Sequence, residues 1–450
     1  MEKTNLSRKD FLRNSTLGLA GLTLVPGMLH AKSNSDKVAQ KGNKTNLTQI
    51  ESKSFKLKNV RLETGFEYEN DEVIGTKTEL FTIEVVDGKI KDITVNQADI
   101  TAIDAKGLLM LPSFKDMHIH LDKTLYADHW RAVRRTGGVK GMIELEQRTL
   151  RDMLKNSTYK AEKLIELLQS YGTGFARSHV NIEPTSKMDS LKNLEIALEN
   201  KKDSFGAELV AFPQHGLYYT DSLPYMKEAA KMNIDFIGGL DPTTVDGSIG
   251  KTIDTTVQLA LDYNKGIDIH LHESGESGIE TIKYLIDKVN ENPFLKGKTF
   301  VSHAFALGTL EKNKQEEIAE KLAAAEVGIV SSIPLGKLVM PIPILFKHGV
   351  NVMAGNDSII DYWSTMGTGS VLQKANLAAE LYGQVTELGL SRMLKLATAG
   401  LIPLDDKGVQ QWPKVGDDAD MVLIDASCSA EAVSRMSPVR SLIYKGSIVY

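Results

Sequence analysis

Residues 112–124 read Pro112-Ser113-Phe114-Lys115-Asp116-Met117-His118-Ile119-His120-Leu121-Asp122-Lys123-Thr124. An apolar run leads into them, and side chains two apart on a strand face the same way, so His118 and His120 present their imidazoles to one side. A divalent ion of the zinc or iron type takes neutral imidazole nitrogens at about 2.0–2.1 Å, and a hydrolytic site leaves a position open for water. Two ligands do not complete such a site. A His-x-His pair is also a common arrangement of ordinary polar residues, so its meaning depends on where the other histidines fall.

Outward from this stretch, strand-like apolar runs alternate with helix-length amphipathic stretches. The runs cover residues 110–120, 174–180, 208–214, 235–241, 266–273, 299–305, 328–334 and 350–357. After a long first interval their polar ends follow one another at 24 to 35 residues, room for a strand, a helix and two loops. The pattern predicts an α/β protein built on a (β/α)8 TIM barrel, with helical stretches at 142–154 and 160–171 filling the first interval. No Gly-x-Gly-x-x-Gly follows the first parallel strand, which weakens the dinucleotide-binding alternative. Shorter β-type runs bracket the barrel. Residues 81–86 and 90–95 flank Asp87-Gly88, a strong hairpin signal, and 419–424, 441–444 and 447–450 lie at the far end around Lys445-Gly446. They predict a small β-sandwich formed from both termini, with 53–111 as its first part, 112–404 as the barrel and 405–450 as its second part.

Composition narrows the class. The 450 residues are 42% hydrophobic and 25% charged, enough for a large core, and the net charge of −5 provides no basic stripe for a phosphate backbone. Nucleic acid is therefore not an expected partner. Cys428 is the only cysteine, so metal ligands must be His, Asp or Glu. At the amino terminus Arg8, Lys9 and Arg13 precede an apolar run, 17–25, too short to span a bilayer, with Ala31 as a cleavage position. Residues 1–31 read as an export signal and 32–52 as a polar linker. The segment 7–12 resembles a twin-arginine (Tat-like) signal with Lys9 in place of the second arginine. The expected address is periplasmic, a cytoplasmic protein with a disordered tail being the alternative, and stable membrane insertion is not expected.

In a parallel barrel the active site forms at the carboxyl ends of the strands. Here these ends carry His118 and His120, His179, Gln214, Asp241, His270 with His272 and Glu273, His303, and Asp357, including six of the ten histidines in the chain. Three imidazoles and a carboxylate can hold one divalent ion, Fe2+ or Zn2+, and leave a place for water, which makes His118, His120, His270 and Asp357 the natural ligand set. A carboxyl group that is not a ligand must carry protons, and Glu273, three residues past His270, suits that role; the alternative is a first-turn glutamate of the following helix.

These motifs, taken in order, resemble the amidohydrolase superfamily and within it the cytosine deaminase group with its triazine- and pterin-directed relatives. His118-Ile119-His120-Leu121-Asp122 is similar to that group's first metal motif, Ala211-Phe212-Pro213-Gln214 to its substrate-amide motif, and Asp268-Ile269-His270 through Glu273 to its third-ligand and proton-shuttle segment. Ser302-His303 resembles its histidine beside the metal, and Gly355-Asn356-Asp357 followed by Trp363 its eighth-strand segment. The resemblance covers about residues 55–450. It implies His118, His120, His270 and Asp357 as ligands of a single ion, Glu273 as proton shuttle, and His303 as the group that orients water or stabilises the tetrahedral centre. Gln214 would hold the ring's amide edge and Trp363 would wall the pocket.

No lysine ends the third or fourth barrel strand, so the bridging carbamate of two-metal relatives has no source. Ser358 stands where cytosine deaminase has a second Asp, His272 where it has an acidic residue, and the segment 335–343 is shorter. Ser358 is therefore counted as a substrate-facing position that shifts specificity away from cytosine. The implied activity is hydrolytic deamination of an exocyclic amine on a small nitrogen heterocycle. The alternatives are a hydrolase of cyclic amides or N-substituted aminotriazines, and a catalytically silent heterocycle-binding protein. Self-association into a homo-oligomer stays open.

Overall fold

A computed structural model describes residues 53–133 and 136–450, and the expected export signal and linker lie outside the described residues. Two sheets divide the strands. The first contains β1 (Phe55–Glu69), β2 (Glu72–Val86), β3 (Lys89–Val95), β4 (Ile103–Asp104) and β5 (Leu109–Pro112) from the front of the chain. The second is the barrel: β6 (Phe114–Ile119), β7 (Thr173–Asn181), β8 (Gly206–Phe212), β9 (Phe236–Leu240), β10 (Gly266–His270), β11 (Thr299–Ser302), β12 (Val327–Ser331) and β13 (Val352–Ala354). The last three strands, β14 (Met421–Ile424), β15 (Val439–Tyr444) and β16 (Ser447–Ile448), return to the first sheet, whose order is β16-β15-β14-β5-β1-β2-β3 with β4 on β1.

The terminal sheet joins the two ends of the chain through a shared core in which Leu57, Ile83 and Ile90 meet Met421, Leu423 and Ile443. Its tight turns are set by residue type. Asp87 (φ 49°) and Gly88 (φ 76°), like Lys445 (φ 46°) and Gly446 (φ 78°), place both central residues in the left-handed region, as a two-residue hairpin of the right twist demands. The two turns touch: a Cβ on Gly88 would meet the Lys445 carbonyl at 2.6 Å. The outer halves of β1 and β2, around the Asn70-Asp71 turn, are largely exposed on both faces and carry no periodic signal, which is why only 81–86 stood out in the sequence.

The run 110–120, expected as one strand, is two. Its first residues, in β5, pair antiparallel with β14, and the chain then crosses at Ser113 into β6 of the barrel. Pro112 has no N–H to continue a ladder, so the first sheet ends there. The other seven barrel strands lie within or around the expected runs. Between β6 and β7 stand α1 (Gly138–Leu154) and α2 (Ser157–Ser170), close to the two expected helices.

All eight barrel strands are parallel neighbours in chain order, and the ring closes nearly completely where β13 returns to β6. The closing contacts are an Ile119–Asp357 bridge and a hydrogen bond from the Asp357 amide to the His118 carbonyl at 2.7 Å. Helices cover the outside over a large apolar core, while Met117, Val210, Phe236, Phe300, Val330 and Met353 form a separate cluster inside the barrel. That internal plug is the floor on which the site is built.

Closure is tight at Gly355, where a Cβ would meet the backbone N and O of His118 at 2.5 Å each. Gly355→Ala is expected to destabilise the protein by about 1–3 kcal/mol through overpacking, read as a lower denaturant midpoint.

Candidate active site

At the carboxyl ends of the barrel strands, four buried imidazoles and one partly buried carboxylate converge. His118 and His120 leave β6, His270 ends β10, His303 follows β11, and Asp357 follows β13. The proton positions of the first two rings follow from their partners. Ser302 Oγ donates to Asp268 Oδ1 (2.7 Å), so its oxygen accepts from His118 Nδ1 (2.8 Å); His120 Nδ1 donates to the His179 carbonyl (3.2 Å). Both Nε2 atoms are thereby left as lone pairs.

Those lone pairs face the Asp357 carboxylate, and that of His120 also faces the His270 ring. Asp357 Oδ1 lies 3.6 Å from His118 Nε2 and 3.4 Å from His120 Nε2, and His120 Nε2 lies 3.4 Å from His270 Nε2. Electron pairs converging in a buried space repel one another unless a cation sits among them, and His118 Nε2 has no hydrogen-bond partner of its own. The residues present thus fit a divalent ion. Among the described residues two triads satisfy ligand spacing, His118-His120-Asp357 and His118-His270-His303, so His303 stands within ligand range beside the four expected ligands. Burial keeps four of these imidazoles neutral, as ligation requires: it brings the His120 pKa down to about 4, with the Lys123 charge adding to the effect, and holds His179, His270 and His303 well below the ordinary value.

The backbone at the barrel mouth is strained. Asp357 (φ 64°), His303 (φ 70°), Ala304 (φ 50°) and Asp241 (φ 36°) adopt left-handed conformations that cost non-glycine residues about 1–3 kcal/mol each and cluster at functional sites.

Glu273 is buried and lies before the helix that begins at Glu276, so it is not a first-turn residue. Its Oε1 accepts from the amides of Thr243 (2.8 Å) and Thr244 (2.6 Å), while Oε2 is buried without a partner. The loop is braced by Asp241, which accepts from the His272 amide (2.6 Å), the Glu273 amide (3.2 Å) and His272 Nδ1 (3.0 Å). Burial disfavours charge on His272, but the hydrogen bond to Asp241 and the charges of Asp241, Asp357 and Glu273 together outweigh it and hold the pKa above the ordinary value. The His272 ring stacks on His303 with centroids 4.4 Å apart.

A second cluster lies beside the end of β8. Lys123, 1% exposed, donates to Gln214 Oε1 (2.5 Å) and Glu146 Oε1 (3.1 Å). Glu146 comes from α1 and also accepts from Asn181 Nδ2 (2.8 Å) and Trp363 Nε1 (2.5 Å). The structure therefore joins Gln214 and Trp363 through two residues that sequence reasoning passed over. Their signals were present. Lys123 is a charge at the end of the metal motif, and Glu146 is a charge on the apolar stripe Met142, Ile143, Leu150, Met153 of α1.

Ser358 does not offer a free hydroxyl: it donates to Asp361 Oδ2 at 2.7 Å. Asp361, three residues on, also accepts from the amides of Trp363 (2.7 Å) and Ser364 (3.0 Å), and burial raises its pKa to about 6 against the pull of Lys123. His179, a strand-end histidine to which the sequence assigns no role, is a fully buried ring whose centroid lies 4.1 Å from that of His118.

Comparison with known proteins agrees with this geometry. A family profile described as "Amidohydrolase family" matches residues 224–450. The uncharacterized protein YahJ of Escherichia coli (strain K12) is 46% identical over 467 aligned residues, covering 100% of this chain and 99% of that one. Among solved structures, N-isopropylammelide isopropylaminohydrolase from Burkholderia multivorans superposes with a TM-score of 0.77 at 25% identity, covering 88% of this chain and 98% of the other. The 5-methylcytosine deaminase of Klebsiella pneumoniae liganded with 5-fluorocytosine does so with a TM-score of 0.73 at 26% identity, covering 88% and 97%. With barrel, terminal sheet and converging histidines accounted for, the chain belongs to the amidohydrolase family.

Proposed function

We propose that this protein hydrolyses the bond between a nitrogen-heterocycle carbon and its exocyclic nitrogen, releasing ammonia or an amine and leaving a carbonyl on the ring. The observation that carries the reading is Glu273, a buried carboxyl oxygen without a partner among the described residues, on the loop that follows His270, while His118, His120, His270 and the Asp357 carboxylate converge. Those four residues would hold one Fe2+ or Zn2+. When bound, the ion supplies Lewis acidity that brings the pKa of water from about 15.7 toward 7.

The chain's own groups do the rest. Glu273, held at Oε1 by two amides, receives the proton of the attacking water on Oε2 and passes it to the ring or departing nitrogen. His303 steadies the oxygen that becomes the new carbonyl. Gln214, its amide oxygen committed to Lys123, offers its NH2 to an acceptor edge of the ring, and Trp363, tethered through Glu146, walls the pocket. Ser358 donates its hydroxyl to Asp361, whose other oxygen accepts two backbone amides, so position 358 itself offers the ring no charged acceptor.

Two ring chemistries draw on this apparatus. Deamination of a primary amine has support in the likeness to 5-methylcytosine deaminase, and removal of an N-alkyl amine from a triazine in the likeness to N-isopropylammelide isopropylaminohydrolase. A panel of aminopyrimidines, aminotriazines and pterins, assayed for ammonia and for isopropylamine, separates them. Cytosine is expected to trail the preferred ring by about 1.5–3 kcal/mol in kcat/KM, the cost of losing a desolvated charge-assisted contact at position 358. Efficient turnover of cytosine overturns that specificity, and ring opening of hydantoins with no amine release overturns the reaction.

Glu273→Gln should lower turnover by about 100- to 10,000-fold while elemental analysis still finds one ion per chain. Loss of the ion in that variant would make Glu273 a ligand instead. Lys123→Met is expected to destabilise the protein by about 3–5 kcal/mol in urea unfolding, because Glu146 is left charged and buried; adding Glu146→Leu should recover most of the loss.

A further inference from the structure

Below the histidines the barrel holds a buried ion cluster where branched apolar side chains would ordinarily stack. Arg177, on β7 two residues before His179, lies between the rings of Phe236 and Phe300, its guanidinium carbon 4.1 and 4.2 Å from their centroids. It pairs with Glu208 Oε2 (2.9 Å) and Asp268 Oδ2 (3.0 Å). Asp268, fully buried on β10 two residues before His270, turns its other oxygen to Ser302 Oγ (2.7 Å), and Ser302 reaches His118 Nδ1 (2.8 Å). His179 Nε2 lies 3.9 Å from the same Asp268 oxygen that pairs with Arg177.

We infer that Arg177, Asp268 and Ser302 form a positioning relay that sets the tautomer of His118 and so prepares its Nε2 for a metal ion. The proposal rests on the metal-site reading above. Each link has one polarity. Arg177 can only donate, so Asp268 accepts from it; Asp268 also accepts the single hydroxyl hydrogen of Ser302; the Ser302 oxygen is then left to accept, which places the His118 proton on Nδ1. Period-two alternation on β7 and β10 puts this charged layer directly under the histidine layer. A buried ion pair gains little stability over well-packed apolar residues, so a plug of Arg177 and Asp268 is poorly explained as a stabilising device. A role in fixing a ligand's orientation accounts for it, as partners beyond the ligands commonly do in metal sites.

The test separates positioning from plugging, because Ser302→Ala cuts the relay and leaves the Arg177–Asp268 pair whole. Zn2+ affinity of metal-stripped full-length protein is measured by chelator competition, alongside the thermal unfolding of the metal-free protein. Ser302→Ala is expected to weaken Zn2+ binding by about 10- to 100-fold with metal-free unfolding close to that of the unaltered protein. Ser302→Thr, which keeps the hydroxyl, is expected to restore the affinity. Ser302→Cys, of similar volume but a weak acceptor, should behave like Ser302→Ala and serves if that variant does not fold. Unchanged affinity in Ser302→Ala, or in Ser302→Cys, overturns the relay alone. An unaltered protein that takes up no Zn2+ or Fe2+ overturns the metal-site reading and the relay with it.

Discussion

The Asp357 amide bonds to the His118 carbonyl across the seam between the first and last barrel strands, and the site depends on this contact. It brings a carboxylate to within 3.6 Å of two imidazoles that precede it by more than two hundred residues in the chain. Strand number, tilt and stagger in a closed barrel are mutually constrained, so the ligand set exists only when all eight strands are in register. Gly355 admits the approach by lacking a side chain, and the left-handed backbone of Asp357 turns its carboxylate back over the seam.

Above that seam, burial does opposite work on two kinds of group. It suppresses protonation of His120, His179, His270 and His303, which keeps their lone pairs available, and it makes each charge that stays dependent on a partner. Lys123 is matched by Glu146, and Arg177 by Asp268 and Glu208. Such pairs cost desolvation that their attraction only roughly offsets, so their value lies in geometry: the first joins Gln214 to Trp363 through α1, and the second reaches His118 through Ser302.

The long interval between the first two barrel strands has a similar meaning. A connection of ordinary length needs one helix; here α1 is additional, and it presents Glu146 rather than another apolar side chain to the barrel. An inserted helix thus supplies the counter-charge for a lysine of the metal motif, tying the framework to the substrate-facing cluster.

The barrel, the terminal β unit and the metal-ligand candidates could be read from the chain because they rest on local signals. Alternation of strand and helix periods, turn pairs such as Asp87-Gly88, and polar residues ending successive strands are all properties of short windows. The division of 110–120 between two sheets, the engagement of Ser358 by Asp361, and the roles of Lys123, Glu146 and the Arg177 layer were not legible in this way. Lys123 and Gln214 are 91 positions apart, and His118 and Ser302 are 184 apart. No spacing rule links such pairs: whether two polar groups meet depends on the stagger of the closed barrel and on which face of a helix rests against it. Sequence determined which residue types end each strand; tertiary structure alone decided which of them share a proton or a charge, because hydrogen bonds and ion pairs are set by distances of about 3 Å that only closure of the ring defines.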